Sequence, residues 1–265
     1  MKMKSIALSV IVTLLAFTSC KKDVAPVPVP EPNNDPEHLG PQTNKVAHYS
    51  FNGSLADGSG NHLDAINSAN NLTYGADRFN RANQAAVFFG ASNPIWVFTP
   101  SLTTKVTGFP FSVSLWFKAN GVSASQTLVR SDGGESASYS GYWLQLGVAG
   151  EGTMSFSFGD NTGSSGSSRN TITTPSIFTA NAWTHVVIAV RGANDMDFYI
   201  NGVKSNNCSY SGSATSMVYH PTYNGGILGH FPGASSMFEG LLDDYRIYTK
   251  VLSQTEVSEL YNFQP

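Results

Sequence analysis

The chain has 265 residues, with 15 Lys and Arg against 18 Asp and Glu, a formal net charge of −3. Only 12% of residues are charged, half the roughly 25% usual in soluble globular proteins. No basic excess is available to neutralise phosphates, so nucleic acid is not an expected partner, and two Cys exclude a disulfide scaffold or a Cys-based zinc site. Ser, Thr, Asn and Gly fill the place of charge, a mixture that favours short strands and turns over long helices.

In chain order, Lys2 and Lys4 precede an apolar run over residues 6–17, and the segment closes on Thr18, Ser19 and Cys20. That series of charged, apolar and small residues is a secretory signal, with an apolar run too short to span a bilayer comfortably. Its end resembles a bacterial lipobox, in which the Cys is lipidated and becomes the mature N-terminus; Phe17 stands where Leu is commonest. Residues 1–20 are therefore expected to be a lipoprotein signal peptide with Cys20 acylated, which places the protein at the bacterial cell envelope. The membrane would be reached only through that lipid. Cys208 would then have no disulfide partner within the chain. Residues 21–44 follow with Pro26, Pro28, Pro30 and Pro32 at alternate positions. Such a tract cannot join a sheet and reads as an extended polyproline tether. One domain, residues 45–265, remains.

From Val46 onward the hydrophobic period is mostly two. Phe111, Val113, Leu115 and Phe117 alternate with Ser112, Ser114 and Trp116, and Met154, Phe156 and Phe158 alternate with Ser155 and Ser157. Residues 183–190 are rich in β-branched side chains and read as a central strand. The run 197–200 meets Asn201-Gly202, a strong hairpin signal because both turn residues accept positive φ. Another long strand is predicted over 239–248. The one helix signal is the capping box of Ser253 and Glu256, with Val257, Leu260 and Tyr261 spaced to form an apolar stripe behind it. The expected fold is all-β, a two-sheet antiparallel jelly-roll sandwich with one short C-terminal helix.

The opening Ala47-His48-Tyr49-Ser50-Phe51-Asn52-Gly53-Ser54-Leu55, followed by Asp57-Gly58-Ser59-Gly60-Asn61-His62, resembles the first strand and loop of bacterial laminin-G-like domains. These belong to the concanavalin A-like lectin/glucanase superfamily. Residues 109–117 resemble its "gF-t-s-W-f" strand, Trp183-Thr184-His185-Val186-Val187 its "W-h-h-V" strand, and Phe198-Tyr199-Ile200-Asn201-Gly202 its "lYvNG" hairpin. Residues 240–248 resemble "G-x-i-D-d-v-R-i-y", and 252–261 the family's "L-s-x-x-E-i-x-x-L-y" finish. The order of these landmarks implies the concanavalin A-like jelly roll over nearly all of residues 45–263. Function does not follow from it, since the fold hosts lectins, adhesion modules, enzymes and spacers.

Asp57, Ser59 and Asn61 set oxygen-bearing side chains at alternate positions, but His62 and Ser68 replace the Gly and Glu that an EF-hand needs. The resemblance implies that this loop lies beside the last strand, where Asp243 has the parity of Tyr245 and Ile247. A carboxylate on that apolar face needs a partner. A structural Ca2+ held by Asn52, Asp57, Asn61 and Asp243 would supply one. Alternatively, Asp243 accepts backbone N–H bonds and Asp57 makes an Asx-turn.

Glycoside hydrolysis needs two carboxylates flanking the scissile bond. Glu239 and Asp243 are followed by no second Glu at Tyr245, Arg246 or Ile247, so the related glucanases' E-x-D-x-x-E signature is missing. The Tyr and His that lyases use are present as Tyr219, His220 and His230, without specific spacing. Sugar binding needs an aromatic platform and polar groups at the oxygen rim. The candidates, placed where loops should cluster, are Trp96, Tyr139, Tyr142, Trp143, Tyr219, His220, Tyr223, His230 and Phe231. Tyr142 and Trp143 are neighbours, so one faces the core and the other the opposite side. Trp116 and Trp183 are assigned to packing. The expected role is non-catalytic binding of a glycan or other extracellular ligand; a hydrolase or lyase of the same fold, and an adhesive module, are the alternatives.

Overall fold

The computed structural model describes residues 40–67, 71–92, 97–123, 125–131, 138–222, 225–230 and 236–263. Strands β1 (Lys45–Tyr49), β2 (Ile66–Asn67), β3 (Thr73–Gly75), β4 (Ala85–Phe89) and β5 (Val97–Thr99) precede a one-turn helix, α1 (Leu102–Lys105). Then come β6 (Phe111–Ala119), β7 (Gln126–Arg130), β8 (Ser140–Leu146), β9 (Met154–Asp160), β10 (Arg169–Thr173) and β11 (Thr184–Gly192). The chain finishes with β12 (Asp195–Ile200), β13 (Val203–Lys204), β14 (Ser209–Gly212), β15 (Gly226–Leu228), β16 (Glu239–Tyr248) and helix α2 (Gln254–Asn262). The long predicted strands and the closing helix are present; α1 is an addition that no sequence signal announced.

The strands form two antiparallel sheets. Sheet I runs β13-β12-β11-β6-β16-β4-β3, with β1 also on β16; sheet II runs β14-β10-β9-β8-β7-β15-β5-β2. Their inner faces make one core. Phe111, Val113, Leu115 and Phe117 come from sheet I, while Tyr142, Leu144, Met154, Phe156 and Phe158 come from sheet II. Burying each such side chain contributes roughly 1.5–3 kcal/mol. The Asn201-Gly202 hairpin forms as read, with φ of 48° and 80° at its two residues.

On the outer face of sheet I, helix α2 lays Val257 and Leu260 against Val187, Ala189, Tyr199, Tyr248 and Leu252. A nine-residue helix is marginal alone, so this docking and its cap hold it. Ser253 Oγ accepts the Glu256 N–H at 3.3 Å, and Glu256 Oε2 accepts the Ser253 N–H at 2.9 Å. Residues 40–44, expected at the end of the tether, belong to the domain instead. Pro41 is buried, Asn44 O accepts the Thr249 N–H at 2.9 Å, and a Cβ at Gly40 would lie 2.4 Å from Leu260.

The sequence reading fails at one strand. Asp243 does not share the face of Tyr245 and Ile247. Pairing of β16 with β6 slips between Asp243 and Arg246, where Asp244 takes a φ of 52°. The extra residue of this bulge reverses parity within the strand. Leu242, Tyr245 and Ile247 enter the core, whereas Asp243 stands opposite Trp116, outside the main core, and Arg246 opposite Ser114. The bulge falls where β4, paired to residues 239–242, gives way to β1, paired to residues 245–248.

Candidate functional site

The residues expected to bind calcium are committed elsewhere. Asp57 Oδ1 accepts the N–H groups of His48 and Ser59, each at 2.9 Å, and Oδ2 accepts Ser59 Oγ at 2.7 Å and the Leu63 N–H at 3.1 Å. Asn61 Nδ2 donates to the carbonyls of Lys45 and Val46. Asn52 stands half-buried just after β1. Asp243 Oδ2 lies 2.6 Å from Arg78 Nη1, and Asp244 Oδ2 lies 2.8 Å from Arg78 Nη2. The donor set therefore does not fit Ca2+: one carboxylate knits its loop and the other is neutralised by a guanidinium. Among the described residues no group of three His, Cys, Asp or Glu side chains could hold a metal ion.

Around Arg78 a buried charged cluster fills the outer face of sheet I. Asp244 Oδ1 meets His48 Nε2 at 3.1 Å and Arg246 Nη2 at 2.9 Å. Burial alone would raise the Asp244 carboxyl, but Arg246, His48 and Arg78 together hold it below the usual range. Burial, then the charge of Asp244, pushes Asp243 upward. Desolvation lowers His48 to about 4 and His185 to about 3, with Arg246 acting in the same direction on both. His185 Nε2 lies 3.0 Å from Ser114 Oγ, and its ring lies 5.0 Å from Trp116. Beside this cluster, Arg78, Phe79, Trp116, Trp183, Tyr261 and Phe263 line a cleft of about 300 Å³. Its rings are engaged with one another, Trp116 stacking on Tyr261 at 5.6 Å and Arg78 lying 4.7 Å over Trp116.

The residues expected to bind sugar that fall in the described part of the chain are dispersed. Trp96, Tyr223 and Phe231 lie outside the described residues, as does Cys20. Tyr142 is 0% exposed, its ring packed 5.0 Å from Phe111, and is removed from the set. Tyr219 is half-buried against the core, within 3.0 Å of where Gly141 would carry a Cβ. His220 is half-buried, its Nδ1 accepting the Thr222 N–H at 3.3 Å, and His230 is half-buried just past β15. The structure does not gather these into one platform.

Trp143 is different. With Tyr142 inward, Trp143 points out of sheet II into a groove of about 190 Å³. Register makes the groove. Trp143, Ser157, Thr171 and Ser211 lie side by side on β8, β9, β10 and β14, and Gln145, Ser155 and Thr173 form the next row. Four strands at the usual spacing span about 14 Å. Ser157 pairs with Thr171 at 2.8 Å and Ser155 with Thr173 at 3.0 Å through their hydroxyls. At one end Arg169 stacks 4.9 Å over Tyr139 and donates from Nη1 to its hydroxyl at 3.2 Å. Tyr139 in turn lies 5.5 Å from Trp143. Trp143 is only 4% exposed, so it forms a wall and not an open platform. Residues 145, 155, 157, 169, 171 and 173 were missed by the sequence reading. Their signal was the repeated Ser and Thr opposite the apolar positions of consecutive strands. Among the described residues no Asp or Glu lines the groove.

A family model of the concanavalin A-like lectin/glucanases superfamily, of laminin-G type, matches residues 89–258, well over half of the chain. The chain belongs to this family. Solved structures agree on the fold. Domain 4 of AbnA, an extracellular GH43 arabinanase from Geobacillus stearothermophilus in complex with arabinotriose, is similar with a TM-score of 0.60 and 23% identity, over 83% of this chain and 98% of that one. The botulinum neurotoxin serotype D binding domain has a TM-score of 0.60 and 15% identity, over 83% of this chain and 52% of that one. The botulinum neurotoxin DC binding domain in complex with SialylT has a TM-score of 0.57 and 16% identity, again over 83% and 52%. This chain thus spans about half the length of the toxin domains. No curated protein matches it.

Proposed function

We propose that the protein is a glycan-binding domain that does not cleave its ligand, held at the bacterial cell envelope by a lipid on Cys20. The observation that carries this reading is the groove on sheet II, lined by hydroxyls, an amide, a guanidinium and a Trp edge, with no carboxylate among the described residues. A sugar's hydroxyl rim needs such donors and acceptors, whereas hydrolysis needs a positioned acid and base. Two structural neighbours were solved with an oligosaccharide, arabinotriose or SialylT, which supports a glycan as ligand class. A few hydrogen bonds with one ring edge give modest affinity, about millimolar to micromolar, or about −4 to −8 kcal/mol. The test is calorimetry of the full chain against a panel of neutral and acidic polysaccharides, with chromatography of the mixtures afterwards. Binding without new products, weakened by Gln145→Ala and Thr171→Val, is expected. New reducing ends or unsaturated sugars would make it an enzyme, and silence across the panel would leave a protein-adhesion module.

A further inference from the structure

Among the described residues the groove on sheet II carries one charged side chain, Arg169, and we infer that it selects an acidic glycan, one whose sugars bear carboxylates (uronic acids). This rests on the glycan-binding reading of the groove and adds the ligand's charge. Arg78, Arg81, Arg191 and Arg246 each pair with an aspartate. Arg169 pairs with no carboxylate among the described residues; its partner is the ring and hydroxyl of Tyr139. Among the described residues no acid lines the groove, and one guanidinium there is left uncompensated. Stacking fixes the plane of that fork, so its remaining N–H groups are oriented before a ligand arrives, and a planar fork matches a carboxylate with two parallel hydrogen bonds.

The support of Arg169 is built into the backbone. Tyr139 donates its N–H to Gly163 O at 2.8 Å and accepts the Asn161 N–H at 2.7 Å. It lies so close over Gly159 that a Cβ there would come within 2.3 Å of the Tyr139 carbonyl. The floor favours an anion as well. In each hydroxyl pair, Ser155 with Thr173 and Ser157 with Thr171, one hydrogen is shared and the other O–H is left to donate. Two hydroxyl donors and a guanidinium face the ligand together. Gln145, whose Nε2 is tied to Thr127 Oγ1 at 3.1 Å, offers its carbonyl to a sugar hydroxyl.

The full chain is titrated with oligogalacturonate, oligomannuronate and oligoglucuronate, each beside its methyl ester, which keeps the sugar and removes the charge. At least one acid should bind about tenfold more tightly than its ester, with the advantage shrinking as salt rises. Arg169→Gln should erase that preference while the thermal melt stays unchanged, and Arg169→Lys should restore part of it. Acids and esters of equal affinity, or a preference that survives Arg169→Gln, would overturn the inference. So would tighter binding of a sulfated galactan than of any uronate. Neutral glycans bound in a Gln145- and Thr171-dependent way, with no preference for acids, would sink this inference and leave the glycan-binding reading standing. Silence toward acids and neutral glycans alike would remove both.

Discussion

Two histidines buried on the outer face of sheet I make stability fall with pH in a window set by their surroundings. Burial, followed by Arg246, lowers His48 to about 4 and His185 to about 3, while both start from 6.5 in the unfolded chain. Such depressed groups contribute stability that is complete above pH 6.5 and is lost as pH falls toward their folded values. Through that window the unfolded chain takes up two protons that the native state refuses, and each proton is worth about 1.4 kcal/mol per pH unit. By pH 5 the cost approaches about 2 kcal/mol for each histidine, against a total stability of about 5–15 kcal/mol. Asp243 acts in the opposite sense, because its raised carboxyl lets the native state hold a proton above the unfolded value of 3.8. The clean measurement is therefore a difference in slope between variants. His185→Gln keeps an amide near Ser114 Oγ and removes one titrating group. Urea denaturation from pH 7 to 4.5 should show the wild type losing stability more steeply than the variant, by about 1.4 kcal/mol per pH unit. Parallel curves would show that His185 is not buried as a neutral ring.

Two further outcomes follow from the same physics. Arg78→Ala removes the guanidinium that faces both Asp243 and Asp244, and breaking a buried ion pair costs about 3–5 kcal/mol; a urea midpoint implying less than about 1 kcal/mol would refute the pairing. Cys20→Ser should abolish acylation and leave an uncleaved or mislocalised precursor, whereas unmodified Cys20 in the membrane fraction of the wild type would end the anchor proposal.

Features encoded within a few residues were legible in advance. Asn201-Gly202 needs only its own two positive φ angles, and the cap of α2 needs only Ser253 and Glu256. Asp243 was misread because its face depends on a bulge, and the bulge sits where two different strands share one edge of β16. Alternation showed that Tyr142 and Trp143 face opposite ways. Which one is inward follows once Tyr142 is set against Phe158 and Trp143 against Ser157. The groove was illegible for a related reason. Ser155, Ser157, Thr171 and Thr173 read singly as the wet side of ordinary strands, and only the order β14-β10-β9-β8 makes them one surface.

The two outer faces of the sandwich treat polar groups in opposite ways, and that contrast bears on function. On sheet I the carboxylates of Asp243 and Asp244 are met by Arg78 and Arg246. The nitrogens left without a partner there, among them Trp116 Nε1 and Arg246 Nε, are sealed from solvent. A ligand finds no open charge among these paired groups to neutralise. Each unpartnered buried group costs about 1–3 kcal/mol, which the packing of α2 and the aromatic rings must offset. Among the described residues no helix covers the groove on sheet II, and its hydroxyl pairs and Arg169 keep donors that no described protein group takes up. A ligand that replaces water with oxygens at the same places gains from groups already oriented by the sheet. That is the physical ground on which the groove of sheet II, and not the cluster on sheet I, is proposed as the binding face.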